Sequence, residues 1–147
     1  MNKRTFPRSI YGGCLIFILL LTLENSCSPP KTHGERLYEA ACMNCHGENG
    51  EGLKKLIPPL AGADFLKEYP KAVPCIIRNG MKGPVLVNET LYAHPMPGND
   101  NLSVVEIYNI MQYINNAWGN EFPTPSLKEV DEQLDDCRVL QPWSLDQ

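Results

Sequence analysis

Apolar residues keep a helical rhythm most clearly between Asn101 and Trp118. Val104, Ile107, Met111 and Ile114 recur three or four positions apart, and Tyr108, Ile110, Tyr113 and Trp118 widen the same face. Ser103 stands before this run as a cap and Gly119 after it as a stop, so the spacing predicts the strongest helix of the chain here. Upstream, Glu35 to Cys45 holds good helix formers and no proline, which predicts a helix from about Gly34 that ends near His46 and Gly47. Gly47, Gly50, Gly52, Pro58, Pro59 and Gly62 then mark a loop. A short helix is predicted from Asp64, acting as cap, to Tyr69, and another from Pro70 and Lys71 to a stop at Asn79 and Gly80. Lys82 to Asp100 is punctuated by Pro and Gly and reads as a loop, with a little extended pairing around Val85 to Val87.

The N-terminus has a different pattern. Lys3, Arg4 and Arg8 precede a largely apolar run from Cys14 to Leu23. That run is about half the roughly 20 residues needed to cross a bilayer core as a helix, so residues 1–26 are read as a secretory signal peptide, with a permanent span or uncleaved leader as the alternative. Leu23 to Cys27, followed by Ser28, Pro29 and Pro30, resembles a bacterial lipoprotein junction, with Glu24 at the position where that pattern carries Leu. The resemblance implies a lipid on Cys27. Residues 27–33 then form a Pro-containing tether, 34–119 a domain and 120–147 an acidic C-terminal extension expected to pack on it.

Composition agrees with one globular domain: 147 residues, 43% hydrophobic and 20% charged. From Cys27 onward there are 10 Lys/Arg against 16 Asp/Glu, which argues against nucleic acid as a partner. The acids concentrate beyond Trp118, where Lys128 and Arg138 face Glu121, Glu129, Asp131, Glu132, Asp135, Asp136 and Asp146.

Chemistry enters through the cysteines. Cys42, Met43, Asn44, Cys45 and His46 form a C-x-x-C-H motif, which on a helix turns two thiols and an imidazole toward one object. A haem fits that description: its vinyl groups form thioethers with Cys42 and Cys45, and His46 binds the iron. A thioredoxin-like pair would stand in a βαβ pattern, and a structural zinc would need a second ligand pair at suitable spacing; neither is present in the sequence. No internal repeat is found, so one haem c is expected.

With these residues the segment from Gly34 to Gly119 resembles a class I cytochrome c of bacterial type. The resemblance implies an all-α fold of about four helices around one covalent haem, with the C-terminal extension added. It also implies that Gly34 and Tyr38, eight and four residues before Cys42, pack against the last helix at Ile110 and Tyr113. The Pro58 carbonyl would accept a hydrogen bond from the second nitrogen of His46, with Pro59 as its rival, and Met96 would be the sixth iron ligand, with Met81 and His94 as rivals. Cys75 and Cys137 remain. In an oxidising compartment they are expected to form a disulfide that pins the acidic tail across the domain.

The function so implied is that of an extracytoplasmic one-electron carrier in the periplasm or cell envelope, held at the membrane through Cys27. It would exchange electrons with a donor and an acceptor protein, as a monomer or as a subunit of a respiratory complex. Lys54 and Lys55 could orient such partners. Two other readings stay open: an electron-entry subunit of an oxidase, reductase or dehydrogenase, and a haem-based sensor in which Met96 gives way to a small gas.

Overall fold

Capping decides where the helices of this chain begin. In the computed structural model, which describes residues 30–137, the Thr32 side chain accepts from the Glu35 N–H at 3.1 Å and starts helix α1 (His33–Ala41). Residues 1–29, where a signal peptide and the anchor Cys27 are expected, and residues 138–147 with Asp146 lie outside the described residues. Instead of one helix reaching His46, the chain breaks at Cys42 (φ −122°, ψ −36°) and resumes as the single-turn helix α2 (Met43–His46). Helix propensity is local, and it carries no trace of the packing that draws Cys42 half into the interior.

Helix α3 (Asp64–Glu68) is preceded by Ala63, so Asp64 is its first residue and not its cap. The Asp64 carboxylate instead accepts from the Asn88 N–H at 2.8 Å, and the Asn88 side chain accepts from the Asp64 N–H at 3.1 Å. Helix α4 (Val73–Asn79) begins a few residues later than Pro70, with Pro74 in its first turn, and stops at Gly80 as expected.

The loop after Gly80 contains four short strands: β1 (Gly80–Met81), β2 (Val85–Val87), β3 (Thr90–Tyr92) and β4 (Met96–Pro97). Strands β2 and β3 form an antiparallel hairpin in which Val85 faces Tyr92 and Leu86 faces Leu91. Its turn residues Asn88 and Glu89 both have positive φ (48° and 60°), as a two-residue hairpin of matching twist requires. Val85, Val87 and Tyr92 point inward and Leu86 and Leu91 outward, so the period of two is kept.

Helix α5 (Val104–Ile114) opens with a capping box: Ser103 accepts from the Glu106 N–H, and the Glu106 carboxylate accepts from the Ser103 N–H at 2.8 Å. It ends at Ile114, short of Trp118, because Trp118 (φ 54°) and Gly119 (φ 83°) belong to the turn that follows. Ile107, Ile110, Met111 and Ile114 are its buried face. Helix α6 (Leu127–Asp135), within the acidic extension, is capped in the same way by Ser126 and Glu129 and packs on α4 and α5 through the fully buried Val130. Its outer face carries the acids.

Among the described residues there are thus six helices, two of them only four and five residues long, and two two-stranded ladders. The expectation of about four helices understated the elements, and the extended pairing expected around Val85 to Val87 forms the β2–β3 hairpin. None of these helices is long and apolar enough to cross a membrane.

Candidate functional site

Helices α1 and α5 cross at Gly34, which lies against the backbone of Asn109 and the β-carbon of Tyr113. Close approach there brings Tyr38 beside Tyr113 and Trp118, with ring centroids 5.3 and 5.0 Å apart. The Tyr38 hydroxyl donates to the Gly47 carbonyl at 2.6 Å, and burial holds its pKa well above the ordinary tyrosine value, so it stays a neutral donor. This aromatic cluster sets the end of the C-x-x-C-H turn.

His46 is buried, and its Nδ1 donates to the Pro58 carbonyl oxygen at 3.1 Å. Burial, opposed by that hydrogen bond, lowers its pKa below the usual histidine value, so the ring is neutral at neutral pH with Nε2 carrying a free lone pair. The loop bearing Pro58 is tied down from below. Buried Asn120 accepts from the Gly62 N–H at 2.7 Å and donates to the carbonyls of Leu60 (3.0 Å) and Ile114 (2.7 Å). Asn120 escaped the sequence reading; its only signal is its place directly after the Gly119 stop.

Two adjoining cavities open beside His46. Cys42, His46, Pro58, Met81, Val85 and Met96 line both. The inner one continues over Phe65, Ile76, Ile77, Ile110 and Ile114, and the outer one over Cys45, Leu56, His94 and Pro95. Burial pushes the Cys42 thiol up to about 11, with Cys45 adding to the shift, so Cys42 is a protonated thiol facing an apolar space. Cys45 is exposed at the outer cavity. Pro59 also lines the inner cavity, but the hydrogen bond of His46 runs to Pro58.

An apolar crevice, two thiols, a neutral imidazole and thioethers suit a haem: a flat apolar ring meets an apolar wall, and soft or imidazole donors meet iron. Residues 32–118, more than half of the 147-residue chain, match the family described as Cytochrome c. The chain belongs to the cytochrome c family. This cytochrome is accordingly an electron-transfer protein that carries haem c.

The cytochrome is 32% identical over 106 residues to the cytochrome c subunit of a quinone alcohol dehydrogenase from Gluconacetobacter polyoxogenes, covering 71% of this chain and 22% of that protein. It is 32% identical over 94 residues to cytochrome c-552 of Thermus thermophilus, covering 59% of this chain and 69% of that one. A shorter stretch of 47 residues is 47% identical to a thiosulfate dehydrogenase of Allochromatium vinosum, covering 29% of this cytochrome and 17% of the relative. The cytochrome therefore spans about a fifth of the dehydrogenase subunit it resembles.

Away from the crevice, the sulfurs of Cys75 on α4 and Cys137 after α6 meet with their Cα atoms 5.3 Å apart, inside the roughly 4.4–6.8 Å that a disulfide bridges. Lys54 and Lys55 are exposed on the loop that continues into Leu56 and Ile57 at the outer cavity.

Proposed function

We propose that this cytochrome is a class I, single-haem carrier of one electron, with Cys42 and Cys45 as thioether positions and His46 and Met96 as axial ligands. The observation that carries this reading is that Cys42, His46 and Met96 line the same apolar cavities while His46 Nδ1 is held by Pro58. A hydrogen bond to the far side of an imidazole fixes its tautomer and makes it a better ligand. His46 and Met96 together would hold the iron and leave it no position for a substrate, and a bound haem would supply one-electron chemistry. A thioether as the sixth ligand raises the potential relative to a second imidazole.

The same reading places the protein outside the cytoplasm, supported by the basic and apolar leader and by the meeting of Cys75 and Cys137. Residue Cys27 serves as the lipid-bearing anchor, and the tether ends at Lys31, since Thr32 caps α1 and His33 begins it. Donor and acceptor are redox proteins. The similarity to dehydrogenase cytochrome subunits favours a second role, in which the protein receives electrons directly from a dehydrogenase with which it associates.

Expression with a haem-attaching system tests the reading. Denaturing electrophoresis followed by haem staining should show covalent haem in the parent chain and none in Cys42→Ala/Cys45→Ala. Haem that extracts from the parent under denaturing conditions contradicts it.

A further inference from the structure

Strands β1 and β4 are two residues each, yet their register is tightly fixed. Gly80 faces Pro97 and Met81 faces Met96. Gly80 has φ 75°, and a β-carbon there would collide with the Met96 carbonyl; a β-carbon on Gly98 would collide with the backbone of Arg78 and Asn79. The Asn99 N–H donates to the Ile77 carbonyl at 3.0 Å, so the segment holding Met96 is fastened to the last turn of α4 just beyond the ladder.

In an antiparallel pair, residues directly opposite one another project from the same face, with β-carbons about 4.5–5.5 Å apart. Met81 and Met96 are such a pair. Both are half-buried, and both line the two cavities that also contain Cys42 and His46. A slip of one residue would turn one sulfur away from the crevice, and the two glycines prevent it. Both side chains are unbranched, flexible and soft at sulfur, the qualities an iron-binding thioether needs. His94, by contrast, is exposed and lines only the outer cavity.

Resting on the assignment of Met96 as sixth ligand, we infer that Met81 is a reserve axial ligand on the same face of the iron. When Met96 leaves, Met81 takes its place, so the iron stays six-coordinate and closed to small external ligands. The sequence reading treated Met81 only as a rival to Met96; the ladder makes it a partner.

The test uses holoprotein and reads spectra and ligand binding. Ferric Met96→Ala, and Met96→Leu as a bulkier variant if the first folds poorly, should keep a low-spin spectrum and a sulfur-to-iron charge-transfer band. Met81→Ala/Met96→Ala should lose that band and bind added imidazole at least about tenfold more tightly than Met96→Ala. Met81→Leu alone should leave the band in place. If Met96→Ala already lacks the band and binds imidazole as tightly as the double variant, the reserve role is overturned and the assignment of Met96 stands. If the band survives Met96→Ala unchanged and disappears in Met81→Leu, Met81 is the resident ligand, and both the reserve role and the assignment of Met96 are overturned.

Discussion

Gly34 and Asn109 touch through their backbones, and a β-carbon at Gly34 would overlap the Asn109 carbonyl oxygen. The contact holds α1 against α5 and, through Tyr38, keeps the C-x-x-C-H turn beneath the aromatic cluster. Gly34→Ala should force the helices apart and cost about 1–3 kcal/mol, as overpacking does elsewhere. Denaturant unfolding of the holoprotein measures this, and an unchanged midpoint would mean that the helices do not meet there.

The collision at Gly98 falls on a different pair of elements. Gly98→Ala would push the Met96 segment off the end of α4, since the added carbon meets the backbone of Arg78, Asn79 and Gly80. The expected result is a weakened sulfur-to-iron band and faster binding of imidazole, with the far-UV circular dichroism nearly unchanged. A variant with the band at full strength would contradict the link between this contact and ligation.

Acid should act on the helix starts. The carboxyl of Glu106 is held below its usual pKa first by the Ser103 hydroxyl and then by the Ser103 N–H, and that of Glu129 first by the Ser126 N–H and then by its hydroxyl. A carboxylate whose pKa is lowered on folding adds stability that is present above its unfolded value of about 4.5 and is lost as pH falls through the lower folded value. Glu106→Gln and Glu129→Gln should therefore flatten the loss of stability below about pH 4.5 relative to the parent. Parallel acid-unfolding curves would rule the boxes out as acid-sensitive points.

Much of this molecule is legible in its sequence where a local signal and the tertiary need coincide. Helix α5 is so because its apolar period and its Ser103 cap are both local, and Cys42, Cys45 and His46 form a local motif, whereas Pro58 and Met96 are named by the family resemblance. The break at Cys42 is hidden, since its cause is packing against segments far along the chain. A two-residue ladder such as that of Met81 and Met96 has no period to read. Helix α6 was missed for another reason: its charges obscure the single deeply buried residue, Val130, although Ser126 and Glu129 carry the spacing of a capping box. Beyond its place after Gly119, Asn120 has no pattern, because its three partners lie on two different segments.

Cys75 and Cys137 are 62 residues apart in sequence, and a bond between them closes a long loop of the unfolded chain. Its removal by Cys137→Ser should lower stability by about 4 kcal/mol on the chain-entropy account. The loss should be seen as earlier unfolding of α6 in hydrogen exchange, with Cys75 and Cys137 alkylated in the reduced parent and neither of them in the unreduced one. Free thiols in the unreduced parent would contradict the bond.

The claim that a single covalent haem, held by His46 and Met96, passes one electron at a time is tested most directly by a potentiometric titration of the purified holoprotein followed in the visible spectrum. The account predicts one reversible transition with a one-electron slope between ferrous and ferric low-spin forms, and a sulfur-to-iron charge-transfer band in the oxidised form. Two transitions, or a ferric form without that band, would contradict it.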